Sequence, residues 1–204
     1  QPPESDRPAR LAEERAWVEA ALDGDNKAFA KLVERYQKKV YGLAFGILRN
    51  REDAWDVAQD AFVKAYKNLS TYEGNAAFYT WLYRITYNLS LDVLRSKGRR
   101  ATEELTEQTQ EAAGDDSPRP EHPSETAERR ELAEVVTQAM TKLTEKHRAI
   151  IVLREIEGLS YEEMADVLQI SKGTVMSRLF HARRNLAALI EPYLKEGQGA
   201  LASA

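Results

Sequence analysis

The stretch Leu159-Ser160-Tyr161-Glu162-Glu163-Met164-Ala165-Asp166-Val167-Leu168-Gln169-Ile170-Ser171-Lys172-Gly173-Thr174-Val175-Met176-Ser177-Arg178-Leu179 decides the fold. Ser160 and Glu163 stand three residues apart ahead of an apolar run, the spacing at which serine and glutamate satisfy each other's backbone N–H groups. Met164, Ala165, Val167 and Leu168 then give a short helix its apolar face. Gln169-Ile170-Ser171 turns the chain, and Ser171 can cap a last helix running from Lys172 towards Leu194. Two helices across so tight a turn read as a helix-turn-helix, whose second helix lies in the DNA major groove with its first residues at base edges. Lys172, Thr174, Met176, Ser177, Arg178, Phe180 and His181 occupy those first turns, while Val175 and Leu179 face the first helix of the pair. Arg178, Arg183 and Arg184 carry guanidinium forks that match phosphate or guanine. The plainer alternative is a helical hairpin with a solvated basic face.

Outward from this motif the helical period persists and strand signals are nearly absent. Upstream, Leu132, Val135, Val136, Ala139, Met140 and Leu143 mark one amphipathic helix, and a second runs from about Glu145 to Glu157 and stops at Gly158. Nearer the N-terminus, Phe29, Leu32, Val33, Tyr36, Val40, Leu43, Ala44 and Ile47 form the stripe of a helix that Asp25 or Asn26 could cap. Ala54, Val57, Ala58, Ala61, Phe62, Ala65, Tyr66 and Leu69 form the stripe of the next. After the turn-rich segment 70–75, a third long helix buries Phe78, Trp81, Leu82, Ile85 and Leu89, runs on to Arg95 and ends near Gly98. The fold class is all-α.

The formal net charge is -4 over 204 residues, which looks wrong for a nucleic-acid binder until it is divided along the chain. Residues 1–100 carry +3, residues 101–134 carry -8 and residues 135–204 carry +1. Patches rather than totals decide phosphate binding. The acidic strip also holds Gly114, Pro118, Pro120 and Pro123, and Leu105 is its one large aliphatic residue from Ala101 to Glu125. Such a stretch cannot bury enough apolar area to offset its conformational entropy, so it reads as a flexible linker. The expected organisation is an N-terminal tail and helix start (1–25), a helical domain (26–100), an acidic linker (101–129), a helix-turn-helix domain (130–196) and a C-terminal tail (197–204).

Composition removes several function classes. With 0 Cys there is no disulfide framework, thiolate metal site or cysteine nucleophile. No glycine-rich phosphate loop, H-E-x-x-H or G-x-S-x-G occurs, and the three histidines are scattered, so an enzyme is not expected. Apolar runs fall far below the ~18 residues of a membrane span, and no signal segment opens the chain, so the expectation is a cytoplasmic protein without membrane insertion. Asp53, Asp56, Gln59 and Asp60 line one helix face. They lack a metal-binding loop geometry and serve either as a solvated surface or as a dock for a basic helix. Tyr79, Tyr83 and Tyr87 recur at i, i+4 and i+8 beside Arg84 and Asn88, a pattern open to packing or to base stacking along a single strand.

These residues resemble a bacterial RNA polymerase sigma factor of the extracytoplasmic-function group, similar to the sigma-E type. Ala28-Phe29, the run Leu32 to Tyr36, the run Asp53 to Phe62 and the run Phe78 to Ile85 look like the sigma-2 domain. Leu159 to Ala165 and Gly173 to Leu179 look like sigma-4. The resemblance implies a transcription initiation factor, with no cofactor or metal, that binds core polymerase and promoter DNA and is held by an anti-sigma factor. It makes Asp53, Asp56, Gln59 and Asp60 contacts to the β′ clamp coiled coil, and adds the β flap as a second polymerase partner. It assigns Tyr72, Gly74, Asn75, Ile85 and Asn88 to melting of the -10 element and capture of a flipped base, with Lys64, Tyr83 and Arg84 alongside. Arg95, Arg99 and Arg100 are further phosphate contacts on charge alone. The recognition helix, from Lys172 to Arg184, would read the -35 element. Met176 and His181 stand where many relatives carry arginine, so the -35 preference is expected to depart from the usual one, and Tyr72 adds a hydroxyl where relatives often show phenylalanine. The rival reading is a helix-turn-helix regulator that binds operator DNA without polymerase.

Overall fold

A computed structural model of the chain describes residues 7–104 and 127–201, which are helical apart from short turns. The first lobe comprises α1 (Arg7–Leu22), α2 (Asn26–Leu48), α3 (Arg51–Lys67), a 3₁₀ turn (Leu69–Thr71) and α4 (Phe78–Glu104). The second comprises α5 (Ala127–Thr141), α6 (Glu145–Ile151) with a π turn (Val152–Ile156), α7 (Tyr161–Leu168) and α8 (Lys172–Leu201). Most of the acidic strip lies outside the described residues.

Local chemistry sets the helix ends. The Asp25 side chain accepts from Lys27 N at 2.8 Å and Ala28 N at 3.3 Å to start α2. Asn50 accepts from Asp53 N to start α3. On α7 both halves of the capping box form, with Glu163 N donating to Ser160 Oγ at 3.2 Å and Ser160 N to Glu163 Oε2 at 2.7 Å. At Gly98 the sequence reading ends a helix that the structure continues to Glu104. Gly98 does not adopt the left-handed backbone that would stop it, since the described glycines with positive φ are Gly24, Gly74 and Gly158. The helix expected from about Glu145 to Glu157 changes pitch at Val152 instead, and a left-handed Gly158 follows.

The first lobe packs α2 against α1, α3 and α4. Leu32, Val40, Leu43 and Ile47 of α2 are fully buried against Ala61 and Ala65 of α3 and Phe78 and Leu82 of α4. α1 was legible only as a helix start, yet it supplies Glu14, 3% exposed. That carboxylate accepts from the Phe78 backbone N–H at 3.0 Å and from the Tyr36 hydroxyl, so it holds the first turn of α4 in place.

The two lobes do not sit apart. α4 packs on α7, α2 packs on α6 and its π turn, and one continuous buried core runs through both. Gly46 makes this possible. A Cβ there would lie 2.7 Å from Val152 Cγ2, so only glycine lets α2 approach the π turn this closely. Beside it, Arg148 crosses the seam to donate to Ile47 O at 2.8 Å and reaches back to Leu143 O at 3.0 Å.

Ser160→Ala removes one half of the capping box and is expected to cost about 1 kcal/mol of stability. Urea unfolding with an unchanged slope would register it as a lowered midpoint.

Candidate nucleic-acid and polymerase interfaces

Three surfaces carry the candidate residues. On α3, the core stripe of Ala54, Val57, Ala58 and Ala61 turns Asp56, Gln59 and Asp60 outward, and all three are exposed. Their side chains make no hydrogen bond or ion pair among the described residues. Asp53 differs, because Lys97 of α4 pairs with it and it is only half-exposed. Trp55 sits on the same face, 56% exposed, with its ring edge-on to Tyr41. An exposed indole among unpaired carboxylates suits a docking partner that offers cations and apolar surface.

The second surface is a cleft of about 520 Å³ at the start of α4. Tyr72, Glu73, Gly74 and Asn75 form one wall, and Thr80, Trp81 and Arg84 form the other. Gly74 takes a left-handed backbone with φ 73°, which turns the loop sharply over the opening. The Tyr72 ring packs edge-on to Phe78 and tilted against Trp81, and its hydroxyl donates to Ala76 O at 2.6 Å. Burial and the nearby Glu14 push the Tyr72 hydroxyl pKa up, so it stays a donor. The Asn75 amide donates to Glu73, and Thr80 Oγ1 is a buried hydroxyl with no hydrogen-bond partner among the described residues. Lys64 and Asn88 are exposed, and Ile85 is half-buried against the core. The cleft can take a planar ring of nucleobase size, with Trp81 and Tyr72 for apolar contact and Arg84 for charge.

Tyr83 does not join this cleft. It is 1% exposed and donates to Glu157 of the second lobe at 2.5 Å. Burial and the Glu157 carboxylate both raise its hydroxyl pKa far above the ordinary value. Tyr79 donates to Glu163, and Tyr87 is 5% exposed. Of the two readings of the tyrosine stripe, packing describes this arrangement. Asp166 of α7 completes the rim of the cleft itself.

The third surface is the front of α8. Val175 and Leu179 are buried against α7 at 0% and 2% exposure, as the spacing predicts. Lys172, Thr174, Met176, Ser177, Phe180, His181, Arg183 and Arg184 are exposed, while Arg178 is half-buried. Met176 and Phe180 are bare apolar side chains at 53% and 63% exposure, and His181 lies edge-on to Phe180. Two of the cations are engaged, Lys172 with Glu162 and Arg183 with Glu155, and Arg183 is held further into its charged form by that bond. Thr174 and Ser171 share a hydrogen bond at the helix start. Among the described residues no cluster of three or more His, Cys, Asp or Glu could hold a metal, and no helix is long and apolar enough to cross a membrane.

Comparison with known proteins separates the lobes in the same place. Residues 32–100 match the family model described as Sigma-70 region 2, and residues 133–186 match Sigma-70, region 4. The chain is 40% identical over 187 residues to the RNA polymerase sigma-H factor of Pseudomonas aeruginosa, covering 90% of this chain and 97% of that one. It is 37% identical over 185 residues to the ECF RNA polymerase sigma-E factor of Escherichia coli, covering 89% and 96%. The solved structure of CnrH in complex with the cytosolic domain of CnrY superposes with a TM-score of 0.65 at 29% identity, covering 88% of this chain and 98% of that one. The two curated relatives named above are both RNA polymerase sigma factors, not operator-binding regulators.

Tyr72→Phe keeps the ring contacts but removes the bond to Ala76 O, and should destabilise the chain by about 0.5–1.5 kcal/mol. Equilibrium unfolding measures the loss, and an unchanged midpoint would mean that the hydroxyl bond contributes nothing.

Proposed function

Because the chain belongs to the extracytoplasmic-function sigma factors of RNA polymerase, we propose that its three surfaces divide promoter use between them. As an alternative sigma factor it serves transcription initiation, in a family of non-enzymatic factors. Asp53, Asp56, Gln59 and Asp60 dock on the clamp coiled coil of the polymerase β′ subunit. The exposed Asp56, Gln59 and Asp60 beside Trp55 support this role, and Asp53 contributes when Lys97 releases it. The cleft bounded by Tyr72, Gly74, Asn75 and Arg84 captures a base of the -10 element, with Lys64, Ile85 and Asn88 flanking it. Extruding that base costs a few kcal/mol, which a fitted pocket offsets.

The front of α8 reads the -35 element. Arg178 and Arg184 are the cations that suit guanine or phosphate there, since Lys172 and Arg183 already hold carboxylates. Exposed Met176 and Phe180 favour apolar contact, such as a thymine methyl, over the bidentate contacts of an arginine-bearing helix. Domains at 26–100 and 130–196, joined by the acidic strip, reach both elements only when core polymerase holds them at a fixed separation, and their weak contacts then act together. The factor works in the cytoplasm. An anti-sigma partner is expected here, and the similar protein CnrH is bound by the cytosolic domain of CnrY.

The observation that carries this reading is the cleft at the start of α4, in a chain that also presents a helix-turn-helix. Run-off transcription with core polymerase on a randomised promoter pool tests it, and no promoter-dependent product would sink it. Asp56→Arg should weaken core binding at least ten-fold, with an unchanged circular dichroism spectrum. Arg178→Ala should lower use of promoters with an intact -35 element about ten-fold, and leave promoters with scrambled -35 DNA unaffected.

A further inference from the structure

We infer that Glu155 and Glu162 hold the recognition helix below its full affinity for duplex DNA, occupying two of its cations where backbone phosphates would otherwise sit. The role deepens the -35 reading of α8 and rests on it. Lys172, Met176, Phe180 and Arg183 follow one another at intervals of four, four and three residues, so they run along a single face of α8. The two apolar side chains lie between the two cations, and each cation is met by a carboxylate from outside α8. Glu162 of α7 takes the Lys172 ammonium. Glu155 of the π turn takes Arg183 through two nitrogens on one oxygen, Nε at 2.9 Å and Nη2 at 2.5 Å.

Neither pair is forced by burial, since the four side chains are between 47% and 65% exposed. Exposed pairs of this kind add little to stability. Their effect on a polyanion is larger, because each carboxylate withholds a phosphate contact and also repels the strand. The hydrogen bond from Lys172 holds the Glu162 carboxyl below its usual pKa, and that to Glu155 holds Arg183 further into its charged form, so both pairs stay ionised at neutral pH. Arg178 and Arg184 make no ion pair among the described residues and remain for DNA. Non-specific duplex binding is almost wholly electrostatic, so two withheld cations lower it directly. A factor kept off bulk DNA in this way stays available to a larger partner that brings it to its site.

Salt titration of the full chain on random-sequence duplex DNA tests this. Glu155→Gln and Glu162→Gln should each bind about three-fold tighter at roughly 50 mM KCl, and each should steepen the fall of log affinity with log salt by about 0.9, the share of one phosphate. Asp23→Asn, on the turn between α1 and α2, removes the same charge elsewhere and should leave the slope as it is. With Arg183→Ala already in place, Glu155→Gln should add nothing, since the cation it would release is gone. Slopes unchanged by both glutamate variants would overturn the inference. So would weaker binding of Glu155→Gln, which would make the carboxylate a support that aims Arg183 at DNA, or an effect of Glu155→Gln that survives Arg183→Ala.

Transcription with core polymerase separates this role from the promoter reading. The double variant Glu155→Gln, Glu162→Gln should keep the wild-type ratio of run-off product between intact and scrambled -35 elements, because phosphate contacts carry no sequence. Its product should fall more steeply as salt rises. A ratio lowered by about three-fold or more would show the carboxylates aiming base contacts, and would count against the inference. If the wild type gives equal product from both promoters, the -35 reading fails, and the duplex slopes still decide whether the two carboxylates shield α8.

Discussion

One approach distance governs this molecule, that of α2 to the π turn of the second lobe at Gly46. A Cβ there would lie 2.7 Å from Val152 Cγ2, so the helix and the turn could not sit this close with both side chains in place. With glycine in place, the apolar cores of both lobes join and three tyrosines find carboxylate or apolar neighbours. Asp166 of α7 stands on the rim of the cleft, and Asp56, Gln59 and Asp60 of α3 are left exposed.

The division of exposure follows from the chemistry of each face. The α3 face can remain charged and solvated, because Asp56, Gln59 and Asp60 lose little in water. The tyrosine face of α4 is different, since exposed apolar rings favour any cover they can find. The second lobe is the nearest cover. Its carboxylates satisfy the tyrosine hydroxyls, so burial leaves no orphaned donors at Tyr79 and Tyr83.

Much of this was legible in the residues. The apolar period located α2, α3, α4 and the α7–α8 pair, and the capping box at Ser160 and Glu163 formed as its spacing required. The faces of α3 and α8 also emerged as read, because short-range helical geometry alone decides which side chains point outward. What escaped was set by contacts distant in sequence. Glu14 bonds to Phe78, Tyr83 to Glu157 and Arg148 to Ile47, pairings separated by 64 to 101 residues that no local pattern encodes. The same applies to the tyrosine stripe, where the i, i+4, i+8 spacing fits stacking and packing equally until the second lobe is placed over it. Gly98 misled for a different reason. A glycine near a run of basic residues usually ends a helix, but it stops one only if it adopts a left-handed backbone, which this one does not.

The continuation of α4 beyond Gly98 has a metric consequence. Residues held in a helix advance 1.5 Å each, less than half of what an extended chain provides. With α4 ending at Glu104 and α5 starting at Ala127, the intervening chain can span roughly 75 Å when drawn taut. The number of residues between the two helices thus sets an upper limit on how far apart the end of α4 and the start of α5 can lie.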